Sequence, residues 1–195
     1  MTPRTLCRAL VLASLPLLMN CSDSKVTHPP SASKTAEPAK QEAPIQVYDV
    51  SKEDITKIPG ITSRNISVEG VKLGDRTRDV DKLLGTPIKT ESLPKIYRSA
   101  YREYGVYLEF DRFTGKVNTI YINTNYYKKV KGDLSELLAR GKLDLLKKSF
   151  GENPTESKPD ASTVLWDYSE KGIQFVHLKQ AGIASYTLKL IEPKN

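Results

Sequence analysis

The chain has 195 residues, a formal charge of +7 and a mean hydropathy of −0.43. These values suit one globular domain of ordinary size with extra segments attached. Its two cysteines, Cys7 and Cys21, exclude a disulfide from any mature chain that begins after residue 20. Ten tyrosines against four phenylalanines and one tryptophan fit strands, which favour Tyr, and also fit a binding surface.

Residues 1–20 read as a leader rather than as part of the fold. Arg4 and Arg8 give a positive start, and no acid occurs before Asp23. Ala9 to Met19 is apolar apart from Ser14. That run is shorter than the ~20 apolar residues of a membrane-spanning helix and has the length of a signal-peptide core. Leu18-Met19-Asn20-Cys21 closes it and resembles the lipobox of bacterial lipoproteins. The resemblance implies lipid (palmitate among the acyl chains) on Cys21, which becomes the first mature residue. Processing lowers the charge from +7 to +5, because Arg4 and Arg8 leave and no acid does. Ser22 rather than Asp follows the cysteine, and similarity to the sorting rule of diderm bacteria implies the outer membrane, facing the periplasm.

Residues 21–66 are expected to form a lipid-anchored flexible linker. Pro29, Pro30, Pro38 and Pro44 stand among Ser, Thr, Ala, Lys and Glu, too polar a mixture to offset the cost of ordering. Within it, residues 45–66 are transitional: Ser51-Lys-Glu-Asp is a candidate helix start and Pro59-Gly60 a stop.

From Val68 onward the chain repeats itself. Val80, Leu83, Leu84, Gly85 and Pro87 are echoed by Leu146, Phe150, Gly151 and Pro154. Tyr101 is matched by Tyr168, Gly105-Val-Tyr-Leu by Gly172-Ile-Gln-Phe, and Ile120 by Tyr186, at offsets of 66 or 67. The expected fold class is therefore α+β, with two tandem helix-plus-three-strand antiparallel repeats and the helices packed on one face of the sheet. The repeats would span 67–131 and 132–195. Expected strands are Tyr97 to Tyr104, Val106 to Asp111 and Val117 to Ile122 in the first, then Thr163 to Tyr168, Ile173 to Leu178 and Ile183 to Leu190. Asp133 and Glu136 resemble a capping box opening a helix of the second repeat.

Val71-Lys-Leu-Gly-Asp, the run from Val80 to Pro87, Tyr104-Gly-Val-Tyr-Leu and Gly115-Lys-Val resemble a group of exported bacterial domains. The group includes the SmpA/OmlA (BamE-like) outer-membrane assembly lipoproteins and the β-lactamase inhibitory protein, the latter a tandem of two units. The resemblance implies helices on one face of a short antiparallel sheet. It does not carry a partner across, because the assembly family looks single-copy.

No reaction chemistry is legible. The mature chain has two histidines: His28 lies in the linker, and His177 reads as a packed core residue on a strand. Zinc-ligand clusters, a Walker A pattern and a dinucleotide fingerprint are all missing from the sequence. Glu109 and Asp111 share a strand face, which leaves a hydrolase with an acid pair as the weakest of three readings. The expectation is a non-enzymatic chain with no cofactor and no metal, held at the membrane by its lipid, with an envelope protein as partner and no nucleic acid. Strand alternation places Tyr107, Glu109, Thr119 and Tyr121 on the face away from the helices, the expected binding face. The alternative is a structural or assembly component that binds cell-wall polymer or lipid headgroups through the basic connector, at Lys128, Lys129 and Lys131.

Overall fold

A computed structural model describes residues 45–180 and 183–194. Cys21 and most of the expected linker lie outside them. The described chain is mostly β. Two short strands, β1 (Tyr48–Asp49) and β2 (Ile66–Ser67), pair in parallel. Helix α1 (Thr77–Leu84) follows, then four strands: β3 (Lys89–Ser92), β4 (Ile96–Tyr101), β5 (Val106–Asp111) and β6 (Val117–Asn123). Helices α2 (Asp133–Arg140) and α3 (Leu143–Phe150) precede four more: β7 (Thr155–Asp160), β8 (Thr163–Tyr168), β9 (Ile173–Gln180) and β10 (Ile183–Ile191).

These last eight strands form one antiparallel sheet in the order β3-β4-β5-β6-β10-β9-β8-β7. This corrects the expected fold class. The chain does not form two tandem helix-plus-three-strand repeats. Each half of the sheet has four strands, the halves are hydrogen-bonded to each other through β6 and β10, and the helices divide one to two. The reason for the error is physical. Lys89–Ser92 and Thr155–Asp160 are exposed at every position and contain no large apolar residue, so neither has an alternation to read. Both are edge strands, where charge and proline guard against pairing with another chain; Pro159 lies in β7.

A second correction concerns residues 45–66. Val50, Ile55, Ile61 and Ile66 are buried in the main core, so this segment is part of the fold and not linker. Asp49 fastens it. Its carboxylate accepts from Ser51 N at 2.9 Å, Glu69 N at 3.2 Å and Gly70 N at 2.8 Å, which ties β1 to the turn after β2.

The core lies on one side of the large sheet. Val106, Leu108 and Phe110 of β5, Ile120 and Ile122 of β6, and Leu188 and Leu190 of β10 point into it. Val80 and Leu84, one turn apart on α1, meet this face. Leu134, Leu137 and Leu138 of α2 and Leu146 and Phe150 of α3 do the same. The expected capping box does not form: Gly132 occupies the N-cap of α2 and Asp133 begins the helix without a side-chain cap bond. Gly141 ends α2 in the left-handed conformation (φ 63°) against the ring of Tyr186, which leaves no room for a Cβ there.

Leu108 is fully buried while Leu83, on the outer side of α1, is 47 % exposed. Leu108→Ala should therefore destabilise by about 2–5 kcal/mol. Leu83→Ala should stay within about 0.5 kcal/mol, as surface changes do. Urea unfolding of both variants checks the pair; equal losses would contradict the one-sided core.

Candidate functional site

The opposite face of the sheet carries the residues expected to bind. Register decides what they touch. Tyr107 of β5 stands directly across from Tyr121 of β6, and Glu109 across from Thr119. On the outer flank, Arg98 of β4 pairs with Glu109, and Glu91 of β3 with Arg98. On the inner flank, Lys189 of β10 lies opposite Tyr121, and Thr187 opposite Asn123. Two adjacent rows thus cross these five strands: Glu91, Arg98, Glu109, Thr119 and Ile191, and beside them Ala100, Tyr107, Tyr121 and Lys189.

The two rows are held together by charge. Arg98 grips the Glu109 carboxylate through both Nε (3.0 Å) and Nη2. This pairing, largest of its influences, holds the Arg98 guanidinium above its ordinary range. Two cations flank the Tyr121 ring, Arg98 at 5.6 Å and Lys189 at 5.5 Å from its centroid. Burial pushes the Tyr121 phenol up to about 12, and the negative charge of Glu109 adds to this. Burial also raises Tyr107. At the edge, Lys89 and Glu91 pair at 2.5 Å, which raises the first and lowers the second.

Two of the four expected positions are not open. Glu109 and Thr119 are buried, because the Arg98 side chain bonds to Glu109 and Ile191 stands across from Thr119. Tyr107 and Tyr121 remain half-buried and line a shallow cleft of about 360 Å³ with Glu91, Arg98, Asn123 and Thr187. An adjoining cleft of about 100 Å³ adds Lys89, Ala100 and Tyr104. Alternation alone therefore finds the two rings, while Arg98, Glu91, Lys189 and Tyr104 emerge only once the register is known.

The turn that delivers Tyr104 is strained. Arg102, Glu103 and Tyr104 all have positive φ, at 50°, 55° and 62°. For residues with a Cβ this costs roughly 1–2 kcal/mol each. The turn is tied down on every side. Gly105 N donates to Arg102 O at 2.9 Å, Asn123 Nδ2 to Tyr104 O at 2.8 Å, and the Arg102 guanidinium holds Glu69. Gly105 is required, since a Cβ there would stand 2.9 Å from Tyr126 Cβ. The result brings the Tyr104 ring to 6.5 Å from Tyr107. Strain of this kind gathers where a structure must hold a side chain in one place.

The remaining candidates fare differently. Lys128, Lys129 and Lys131 are exposed, but the connector they occupy is set among acids. Lys129 shares a cleft with Glu69 and Glu103, and Lys131 N donates to Val50 O at 2.9 Å, one residue from Asp49. Asp111 is committed to a turn, accepting from Thr114 N at 2.7 Å, and Glu109 is committed to Arg98, so the two acids do not form a reactive pair. His177 is half-buried and stacks on Tyr186 at 4.8 Å between ring centroids. Among the described residues no group of three or more His, Cys, Asp or Glu is arranged to hold a metal ion.

Tyr101 and Tyr168, like Tyr121, are pushed up to about 12 by burial. Unfolded phenols ionise near 10. The folded state keeps its protons longer, so this part of the stability is intact below about pH 10 and is lost as the pH rises toward 12. Ultraviolet titration should show a late-ionising class of tyrosines, with denaturation midpoints falling across the same interval; a single transition near 10 would contradict the burial. No family model matches this chain, and neither do any curated protein or solved structure.

Proposed function

We propose that the chain is a non-enzymatic envelope lipoprotein, anchored by lipid on Cys21, whose open sheet face binds another protein. The observation that carries the reading is the Tyr107–Tyr121 pair, set across two central strands beside the Arg98–Glu109 bridge, whose carboxylate end is buried. Rings held in one rotamer lose little entropy on binding and offer both apolar area and a hydroxyl. Tyr and Arg also dominate the energetics of protein interfaces, chiefly where they sit near the centre of a patch that excludes water. A half-buried ion pair serves such a face by fixing register rather than by adding much stability.

The face extends beyond the rings. Alternation along β8, β9 and β10 puts Leu165, Val176 and Leu178 on the same side, with Thr163, Ser185 and Thr187 between them. That half is partly apolar, with Asp167 and Lys189 at its margin, and the half around Arg98 is more densely charged. Such an arrangement suits a protein partner with a mixed surface better than a polyanion, which would favour unpaired cations. The connector reading has less behind it: Lys129 shares its cleft with Glu69 and Glu103. No helix among the described residues is long and apolar enough to cross a membrane, so attachment in this reading is assigned to the N-terminal lipid.

The double variant Tyr107→Ala, Tyr121→Ala tests the face. Partner capture from envelope extract should fall at least about tenfold, the effect of losing hot-spot residues worth ~2 kcal/mol. The melting temperature should move by only a few degrees, because both rings are half-exposed. Unchanged capture would refute the site, and so would unfolding of the variant.

A further inference from the structure

Three turns meet at one end of the sheet, and backbone hydrogen bonds lace them together. Arg112 N, after β5, donates to Lys95 O of the β3–β4 turn at 3.1 Å. Thr77 N, at the start of α1, donates to Gly115 O at 3.0 Å, and Val117 N donates to Asp75 O at 2.9 Å. At the tip stands Phe113, 85 % exposed, the most open of the large apolar side chains among the described residues. The tip is held rigidly. The Asp111 carboxylate accepts from Phe113 N at 3.1 Å, Thr114 N at 2.7 Å and Thr114 Oγ1 at 2.9 Å.

A fully exposed Phe on a rigid turn is costly to keep in water, and its neighbours show what would receive it. Leu93 beside it is 39 % exposed, and Arg112 Nη1 donates to Leu93 O at 3.3 Å. Arg76, Lys95, Arg112 and Lys116 surround the tip, all exposed; Arg76 and Lys116 are bridged through their backbones. Among the described residues none of these four cations is ion-paired. The nearby acids are occupied: Asp111 by the turn, Asp75 by Lys72 N, and Asp79 by Arg78 and Lys82.

The same end is where the chain leaves toward Cys21. Ile191 is registered against Thr119, two residues from Val117. Ser63 Oγ donates to Ile191 O at 2.6 Å, Arg64 pairs with Glu192 at 3.0 Å, and Asn65 Nδ2 donates to Gln46 O at 3.0 Å. Ile45, 55 % exposed, therefore emerges at the end that carries Phe113. Lys128, Lys129 and Lys131 lie beyond Asn123 at the other end of β6, roughly 20 Å away at strand rise.

We propose that this end of the sheet docks on an anionic bilayer, with Phe113 at the headgroup boundary and Arg76, Lys95, Arg112 and Lys116 over lipid phosphates. Aromatic rings favour the membrane interface, and each cation near an anionic leaflet adds attraction. A convex apolar tip within a ring of cations is complementary to such a surface, and it leaves the Tyr107–Tyr121 face standing at right angles to the membrane. The proposal rests on the envelope-anchored reading, but its test separates the two.

The full chain carries Trp166→Phe, which removes the one native indole, together with Phe113→Trp or, at the far end, Lys129→Trp. Each protein is mixed with phosphatidylglycerol vesicles whose acyl chains are brominated. The indole at position 113 should shift to the blue and be quenched several-fold more than that at position 129. Arg112→Glu with Lys116→Glu should abolish the quenching, as should about 1 M salt, where the screening length falls to about 3 Å. An unquenched indole at 113, equal quenching at both positions, or equal quenching on neutral vesicles would each overturn the proposal. So would an indole that is free on vesicles yet shielded in native envelopes, which would assign the tip to a protein. Flotation of a Cys21→Ser chain reads the anchor separately. Lost flotation with retained quenching supports the lipid on Cys21 and keeps the docking surface; retained flotation without quenching contradicts both.

Discussion

The antiparallel pairing of β6 with β10 is the contact on which the rest of the fold depends. It joins strands that are more than 60 residues apart in sequence and registers Ile122 against Leu188 and Ile120 against Leu190. Those four side chains are fully buried, so the seam between the two halves is also the centre of the core. The same register sets Lys189 beside Tyr121 and Thr187 beside Asn123 on the other side. A slip of one residue would turn every one of these side chains to the wrong face. The core and the candidate binding face are thus two sides of a single pairing.

An eight-stranded sheet covered on one side must manage its other side and its edges. The edges are kept short or charged: β3 carries Lys89 and Glu91, and β7 carries Glu156, Lys158 and Pro159. The open side is managed differently in its two halves. Around Arg98 it is closed by an ion pair, stacked cations and a strained turn held by Asn123 and Glu69. Around Val176 and Leu178 it is left as a patch of aliphatic and small hydroxyl side chains. The first arrangement fixes geometry and the second supplies apolar area, a division that suits association better than chemistry.

Much of this was legible in the sequence, within limits that have physical causes. Val106, Leu108 and Phe110 alternate cleanly, so β5 and the outward direction of Tyr107 could be read directly. Thr163 to Tyr168 is legible from its β-favouring composition, although Val164-Leu165-Trp166 does not alternate. The edge strands could not be read, since a strand exposed on both faces has no hydrophobic period. Residues 45–66 misled for a related reason. Val50, Ile55, Ile61 and Ile66 are spaced by five or six, which fits neither a strand nor a helix, although all four are buried. The internal likeness of the two halves suggested separate modules, because periodicity reports how each segment folds and not which segments pair. Arg98 was invisible as a site residue on the same ground: its role comes from facing Glu109 across β4 and β5. The burial of Glu109 and Thr119 follows from those same cross-strand neighbours.

The central claim is that one face of this sheet meets a partner while the helical side does not. Photo-crosslinking in living cells tests it most directly, with a benzophenone side chain placed at Tyr107 on the open face or at Lys148, which is exposed on α3. The account predicts a discrete protein adduct from position 107 and none from position 148. Adducts from position 148 alone, or the same products from both positions, would contradict it.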